Sequence, residues 1–304
     1  MSSKIKVSIL VPVFNGEDSI KNCILSIINQ TYENIEIIIS DNCSTDNTQE
    51  ILEEFIKKDK RIQYIRQKQN IGGWENFFFL LKKANSSFIN FLGHDDRLDS
   101  DYIEKSLEKI SVDENIAIIS PMVIYYSDTS RYSCDFGVIH DHQSSSPIRR
   151  CASYFFKVKD NGVFYGMWNK KYVKNLLDIK HQAYKDRDSY SPGLDHIFIG
   201  SLLLNGKMVY SSCSRLYREI GHGSMVLHSK NLGYFGYIFA LLKEAVIYTK
   251  NVFLLMRKNN IKYINKDYFW LLLTYLIVLT RMFFKRPLGV TGSKIKRFLI
   301  QGRK

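Results

Sequence analysis

The first 120 residues alternate between two hydrophobic periods. The runs KVSILV (6–11), IEIIIS (35–40), RIQYI (61–65), SFINFL (87–92) and IAIIS (116–120) are short and almost continuously apolar. That pattern predicts strands buried on both faces. Between them the apolar positions recur at helical spacing. Ile20, Ile24, Ile27 and Ile28 predict one helix. Ile51, Leu52, Phe55 and Ile56 predict a second, opened by Asp46 with Gln49 as the partner in a capping box. A third helix is expected over about 74–84, after Gly72 and Gly73. A fourth starts at Ser100 and carries Ile103, Leu107 and Ile110. Pro12 and the Asn15-Gly16 pair are expected to stop the first strand.

Strands alternating with helices imply βαβ units and a mainly parallel sheet, an α/β fold. Right-handed crossovers bring every strand's carboxyl end to one edge of such a sheet. The loops leaving that edge are Val13–Gly16, Asp41–Asp46, Gln67–Gly73 and Gly93–Asp99, and ligands of open α/β sheets bind there. Residues 121–190 are rich in Tyr, Ser and Arg and give a weaker pattern. A helix over roughly 194–204, a stop at Gly206 and a strand follow, and RLYREIGHGSM (215–225) reads as a polar loop.

Charge divides the chain. The first 228 residues hold 28 basic and 28 acidic side chains, whereas residues 229–304 hold 15 and 2. The whole excess of +13 therefore belongs to the last quarter. A nucleic-acid binder would carry its basic footprint on the folded body, so that class is disfavoured. The tail contains FWLLLTYLIVLTRMFF (269–284), 16 residues with Arg281 inside, short of the roughly 20 a spanning helix needs. An aromatic helix followed by a polybasic end suits an anionic membrane surface, and a helical pair packed on the body with a solvated tail is the alternative. Five scattered cysteines without Cys-x-x-Cys spacing predict neither a zinc set nor a disulfide framework, and the amino-terminal residues enter a strand without a signal-like run. The body is expected in the cytoplasm.

Asp95 and Asp96 stand at the mouth of the fourth strand. Adjacent acids at a ligand edge suit Mg²⁺ or Mn²⁺, which favour carboxylate, water and phosphate oxygens. Capping of the next helix is the competing role, although Asp99 and Ser100 already serve that end.

VSILVPVFNGEDSIKNCILSIINQTYENIEIIISDNCSTDNT (7–48), continued by NIGGWENFFFLLKKANSSFINFLGHDD, resembles the amino-terminal signature of family 2 glycosyltransferases, the inverting enzymes of GT-A fold. The resemblance covers about residues 5–110 and is weaker in GLDHIFIGSLLLNGK and LYREIGHGSM. It implies a GT-A domain over 1–228, with a nucleotide-binding half at about 1–120 and an acceptor half at about 121–228, and a carboxy-terminal helical extension over 229–304. It assigns Pro12, Val13, Phe14, Asn15, Asp41, Asn70 and Gly72 to the nucleotide. Phe14 would lie against the base and Asp41 would accept from the base. Asp95 and Asp96, with His222, would hold Mn²⁺ or Mg²⁺, and Asp195 would be the general base. Two positions depart from the family's pattern: Gly93 stands where D-x-D begins with an acid, and Leu194 precedes Asp195 where an acid is common.

The resemblance further implies a UDP-linked donor, a glycan or lipid-linked oligosaccharide acceptor of a bacterial surface polysaccharide, and a peripheral place on the cytoplasmic face of the plasma membrane. Residue by residue, plainer roles stay open. Asp41 is also a turn residue, Phe14 a core residue, Asp195 an acid at a helix start, and His222 a loop histidine. Two other functions compete. A nucleotidyltransferase would need a basic, glycine-rich phosphate loop that VFNGEDS lacks, and a non-catalytic nucleotide-sugar-binding module is suggested by the missing first acid.

Overall fold

The computed structural model describes residues 5–111, 113–127, 130–132, 144–157, 162–173 and 194–219. In chain order the elements are β1 (Val7–Val13), α1 (Ile20–Ile28), β2 (Ile35–Asp41), α2 (Thr48–Lys58), β3 (Ile62–Arg66), α3 (Gly73–Lys83), β4 (Phe88–Phe91), β5 (Arg97–Leu98), α4 (Tyr102–Ile110), β6 (Ile116–Ser127), β7 (Ser130–Tyr132), α5 (Pro147–Lys157), β8 (Met167–Asn169), α6 (Leu194–Asn205) and β9 (Lys207–Glu219). A short 3₁₀ turn, Gly162–Tyr165, precedes β8.

One sheet runs in the order β3-β2-β1-β4-β8-β6-β9-β5, with β7 paired to β6. Strands β3, β2, β1 and β4 are mutually parallel, with Val7 opposite both Ile35 and Phe88. β8 runs against β4 and β6, β9 runs with β6, and β5 runs against β9. The sheet is thus mixed and mainly parallel, and it continues unbroken from the expected nucleotide half into the expected acceptor half.

The apolar pattern decides which face each helix covers. Val7, Ile9, Val11, Ile37 and Ile39 point to one face and pack with Ile20, Ile24 and Ile27 of α1, Leu52 of α2 and Ile103 of α4. Leu10 and Ile38, one residue out of phase, point to the other and pack with Phe77 and Leu80 of α3 and Phe198 and Leu202 of α6. Because both faces are covered, β2 is buried along its whole length, which is why it reads as continuously apolar. On the second face Trp74, Phe77, Phe91, Phe164, Trp168 and Phe198 form one aromatic cluster that ties α3 and α6 to the sheet.

Several sequence expectations are corrected. β1 does not stop at Pro12 but pairs through it to Val13. Pairing with β4 has already ended at Leu10 opposite Phe91, so on that side the missing proline N–H leaves no ladder bond unmade. The capping box before α2 does not form. The Asp46 carboxylate accepts from the Thr48 and Glu17 N–H groups, while Gln49 turns to Arg66. Residues 215–219 are not loop but the end of β9, paired with Met122–Tyr126. No helix among the described residues is long and apolar enough to cross a membrane. The 229–304 extension and its aromatic helix lie outside the described residues.

Candidate active site

Hydrogen bonds between two turns build the first part of the carboxyl edge. Asn15, held at φ 49°, donates its N–H to Ser44 Oγ (2.9 Å), and its Oδ1 accepts from the Thr45 N–H (2.9 Å). Gly16 N–H reaches Thr48 Oγ1 (2.8 Å), and Asn42 N–H reaches the Val13 carbonyl (2.8 Å). These bonds fix the turn after β1 against the loop after β2. They leave the Phe14 ring projecting, 42% exposed and one of only two large apolar side chains so exposed among the described residues. Pro12 and Val13 form the strand exit beneath it.

Asp41 is turned inward. Its carboxylate is 0% exposed. Oδ1 accepts from the Ser44 N–H (2.8 Å), and Oδ2 accepts from the Tyr64 hydroxyl (2.8 Å) and Arg66 Nη1 (3.5 Å). Arg66 closes the loop by donating to the Ser44 carbonyl (2.7 Å). The acid expected to meet a base is therefore enclosed by the chain's own donors and sets the shape of the 41–46 loop. Burial pushes the Tyr64 hydroxyl pKa well up, and its bond to Asp41 adds to this, so Tyr64 stays a donor.

The loop after β3 is joined to the same surface. Asn70 Oδ1 accepts from Asn42 Nδ2 and from the Gly72 N–H (2.9 Å each). Gly72 has φ 89°, a conformation that side-chain-bearing residues rarely adopt, and caps α3. Asn70 and Gly72 thus shape the loop.

The acid turn after β4 holds two adjacent carboxylates. The Asp96 N–H closes it on the Gly93 carbonyl (3.0 Å), and the Tyr126 hydroxyl donates to the Asp95 carbonyl (3.2 Å). Asp95 is half-buried, whereas Asp96 is 2% exposed. Asp96 Oδ2 lies 3.4 Å from Arg218 Nε, and the Arg218 guanidinium stacks on Tyr165 at 4.2 Å. Burial works against the Arg218 charge, but Tyr165, Asp96, Tyr125 and Asp95 around it outweigh that and raise its pKa. Beneath the turn the Cys23 thiol donates to the Gly93 carbonyl (3.4 Å). Burial first, then the Asp96 and Asp95 charges, push that thiol pKa up and keep it protonated.

Asp195 sits buried in the first turn of α6, where a helix's positive end suits a carboxylate. Tyr165 lies within electrostatic reach of Asp195 and of both acids of the turn. Burial pushes the Tyr165 pKa up to about 12; Arg218 pulls it down, and Asp96, Asp95 and Asp195 push it further up. Asp95 and Asp96 thus lie beside Arg218 and Tyr165, and the Asp195 charge reaches Tyr165. Sequence reasoning missed Tyr165, which carries no motif, and misplaced Arg218 in a loop. Arg215, the other arginine of that stretch, faces away to Asp99 (3.7 Å). His222 lies outside the described residues.

Among the described residues no cluster of three His, Cys, Asp or Glu is arranged for a metal ion. A hydrated divalent ion that arrives with phosphates needs only one or two protein carboxylates. Asp95, half-buried, is a hard oxygen donor of that kind.

Comparison with known proteins agrees with this architecture. The family model described as Glycosyl transferase family 2 matches residues 8–191. The glycosyltransferase GlyA of Streptococcus pneumoniae serotype 4 is 32% identical over 235 residues, 72% of this chain and 31% of GlyA. The putative glycosyltransferase EpsH of Bacillus subtilis is 31% identical over 193 residues, 63% of this chain and 54% of EpsH. The chain thus spans about half or less of the length of these relatives. Among solved structures, S. aureus TarS 1–349 superposes with a TM-score of 0.59 at 17% identity, covering 80% of this chain and 65% of TarS 1–349, a likeness of fold.

Proposed function

The chain belongs to glycosyltransferase family 2, and from that premise we propose that it moves a sugar from a UDP-linked donor to a glycan or lipid-linked glycan hydroxyl, with inversion. The observation that carries this reading is the convergence at one sheet edge. Phe14 projects from the turn after β1, the Asp95 turn closes the β4 end, and the buried Asp195 acts on the same Tyr165 as the two acids of that turn. TarS, whose fold is similar, has been crystallised with UDP and with UDP-GlcNAc.

In this reading the base lies against Phe14, on the loop that Asn15, Asp41 and Asn70 hold rigid. The diphosphate lies toward Asp95. Asp95 would hold a divalent cation, Mn²⁺ or Mg²⁺, which would supply positive charge against the leaving diphosphate. Asp195 accepts the proton of the acceptor hydroxyl as that oxygen attacks the anomeric carbon from the opposite face. A single displacement then needs no covalent sugar–enzyme intermediate. The basic excess of residues 229–304 supports a place on the anionic inner face of the plasma membrane.

The test is a panel of nucleotide sugars incubated with the full chain, Mn²⁺ and a glycan acceptor, with release of nucleotide diphosphate as the readout. UDP release from one or a few donors, lost in Asp95→Asn, is expected. Absence of release from every donor, or unchanged release by Asp95→Asn, contradicts the proposal.

A further inference from the structure

We propose that Asp96 is the buried counter-ion of Arg218 and not a metal ligand, and that Asp96, Arg218 and Tyr165 together position the Asp95 carboxylate. The inference rests on the glycosyltransferase reading of the Asp95 turn and assigns different roles to its two neighbouring acids.

Burial separates them first. Asp96 is enclosed and Asp95 is half open, so only Asp95 is placed for an ion that arrives with its water and phosphate ligands. Charge separates them next. Asp96 Oδ2 lies 3.4 Å from Arg218 Nε, and a guanidinium that is largely buried, 19% exposed, is favoured by a fixed anion at such a distance. Arg218 belongs to β9, which runs beside β6, and its guanidinium stacks on Tyr165, which precedes β8. The pair thus pins the acid turn to two parts of the acceptor half. Tyr126 of β6 adds a third tie through the Asp95 carbonyl.

Gly93 completes the argument. A Cβ at this position would stand 2.7 Å from Asp95 Oδ1 and 2.9 Å from Asp96 Oδ2. The two carboxylates occupy the room that a side chain at 93 would take. The glycine in place of an acid is therefore matched to this arrangement, and an acid restored there would displace both carboxylates. Gly93→Asp should weaken metal-dependent donor binding, where a simply missing ligand would make it stronger.

The test measures Mn²⁺ affinity in the presence of UDP by calorimetry on the full chain, for Asp95→Asn, Asp96→Asn and Gly93→Asp. It adds Arg218→Gln, Arg218→Lys and the Asp96→Asn/Arg218→Gln double variant, with melting temperature and nucleotide release recorded on each. Asp95→Asn should weaken Mn²⁺ at least about tenfold more than Asp96→Asn, whose indirect effect is that of an outer-shell group. The double variant should be no worse than either single change in melting temperature and nucleotide release, the signature of two residues acting as one unit. Arg218→Lys should recover only part of the loss, because an ammonium lacks the planar face that stacks on Tyr165. Equal Mn²⁺ weakening by Asp95→Asn and Asp96→Asn, additive effects in the double variant, or tighter Mn²⁺ binding by Gly93→Asp overturns the inference while the transferase reading stands. Unchanged Mn²⁺ binding by Asp95→Asn instead strikes the metal site of that reading, and the double-variant cycle then judges the Asp96–Arg218 pair by itself.

Discussion

Replacing Asp41 with alanine should destabilise the fold by about 3 kcal/mol. The carboxylate is enclosed and serves three donors: the Ser44 N–H, the Tyr64 hydroxyl and Arg66. Alanine leaves all three facing a small cavity. Each buried donor left without its acceptor costs about 1–3 kcal/mol. Arg66 is exposed and keeps its bonds to Gln49 and the Ser44 carbonyl, so only the Ser44 N–H and the Tyr64 hydroxyl are counted. For a domain of this size each kcal/mol lowers the melting temperature by about 2–4 °C, which gives a fall of roughly 6–12 °C. Asp41→Asn keeps an acceptor oxygen for the Ser44 N–H and should lose only about 1 kcal/mol. The 41–46 loop also anchors Asn15 through Ser44 and Thr45, so UDP affinity should fall with stability. Thermal unfolding followed by circular dichroism, with UDP calorimetry below the transition, measures both. Loss of UDP affinity at an unchanged melting temperature would refute the reasoning and turn the carboxylate toward the ligand.

Phe14→Ala should weaken UDP binding by about 1–2 kcal/mol and leave the melting temperature within about 1 °C, since the ring is exposed and carries no core packing. A large drop in melting temperature would place Phe14 in the core instead. Glu36, at the amino end of the sheet, gives an acid signature. Burial pushes its pKa up, but bonds from Lys6, Ser8, the Asn85 N–H and Ser86 outweigh this and hold it at about 2 against an ordinary 4.5. A depressed carboxylate contributes fully above its ordinary value and loses that contribution as pH falls from about 4.5 through about 2. At about 1.4 kcal/mol per pH unit the contribution is at most about 3 kcal/mol, and screening of the half-exposed Lys6 reduces it to about 2. Glu36→Gln should therefore destabilise at pH 7 and not near pH 2, and equal loss at both would contradict the assignment. Deleting residues 285–304, with seven basic side chains and no acid, should release the protein from anionic vesicles at about 1 kcal/mol per charge near the surface. Binding indifferent to both salt and truncation would refute the electrostatic part.

The parallel half of the sheet was readable in the sequence because burial on both faces leaves its strands without polar interruptions, and the loops at its carboxyl end then follow from topology. The adjacent acids at 95 and 96 stood out at the mouth of a buried strand, whereas Asp195 was named only through the family resemblance. Other features depend on partners distant in sequence. Gln49 has the spacing of a cap, yet Glu17 takes the neighbouring Asn47 N–H and frees Gln49 for Arg66. The Tyr64 and Arg66 donors to Asp41 come from β3, more than 20 residues on. The end of β9 looked like a polar loop, although Ser214 and Leu216 alternate inward in it. The period-2 signal was present but hidden by two arginines whose partners, Asp96 and Asp99, lie more than 100 residues earlier. β5, two residues long, exists only because β9 lies beside it.

The proposal's central claim is that Asp195 takes a proton from an acceptor hydroxyl at the site that Asp95 and Phe14 define. Turnover of the donor found in the nucleotide-sugar panel, measured for Asp195→Asn beside the wild type with UDP affinity and melting temperature on the same samples, tests it most directly. Transfer should fall by about 10²–10⁴-fold, with UDP affinity unchanged and the melting temperature nearly so. Near-normal transfer with a stability loss of about 0.3–1 kcal/mol would make Asp195 only an acid at a helix start and contradict the claim.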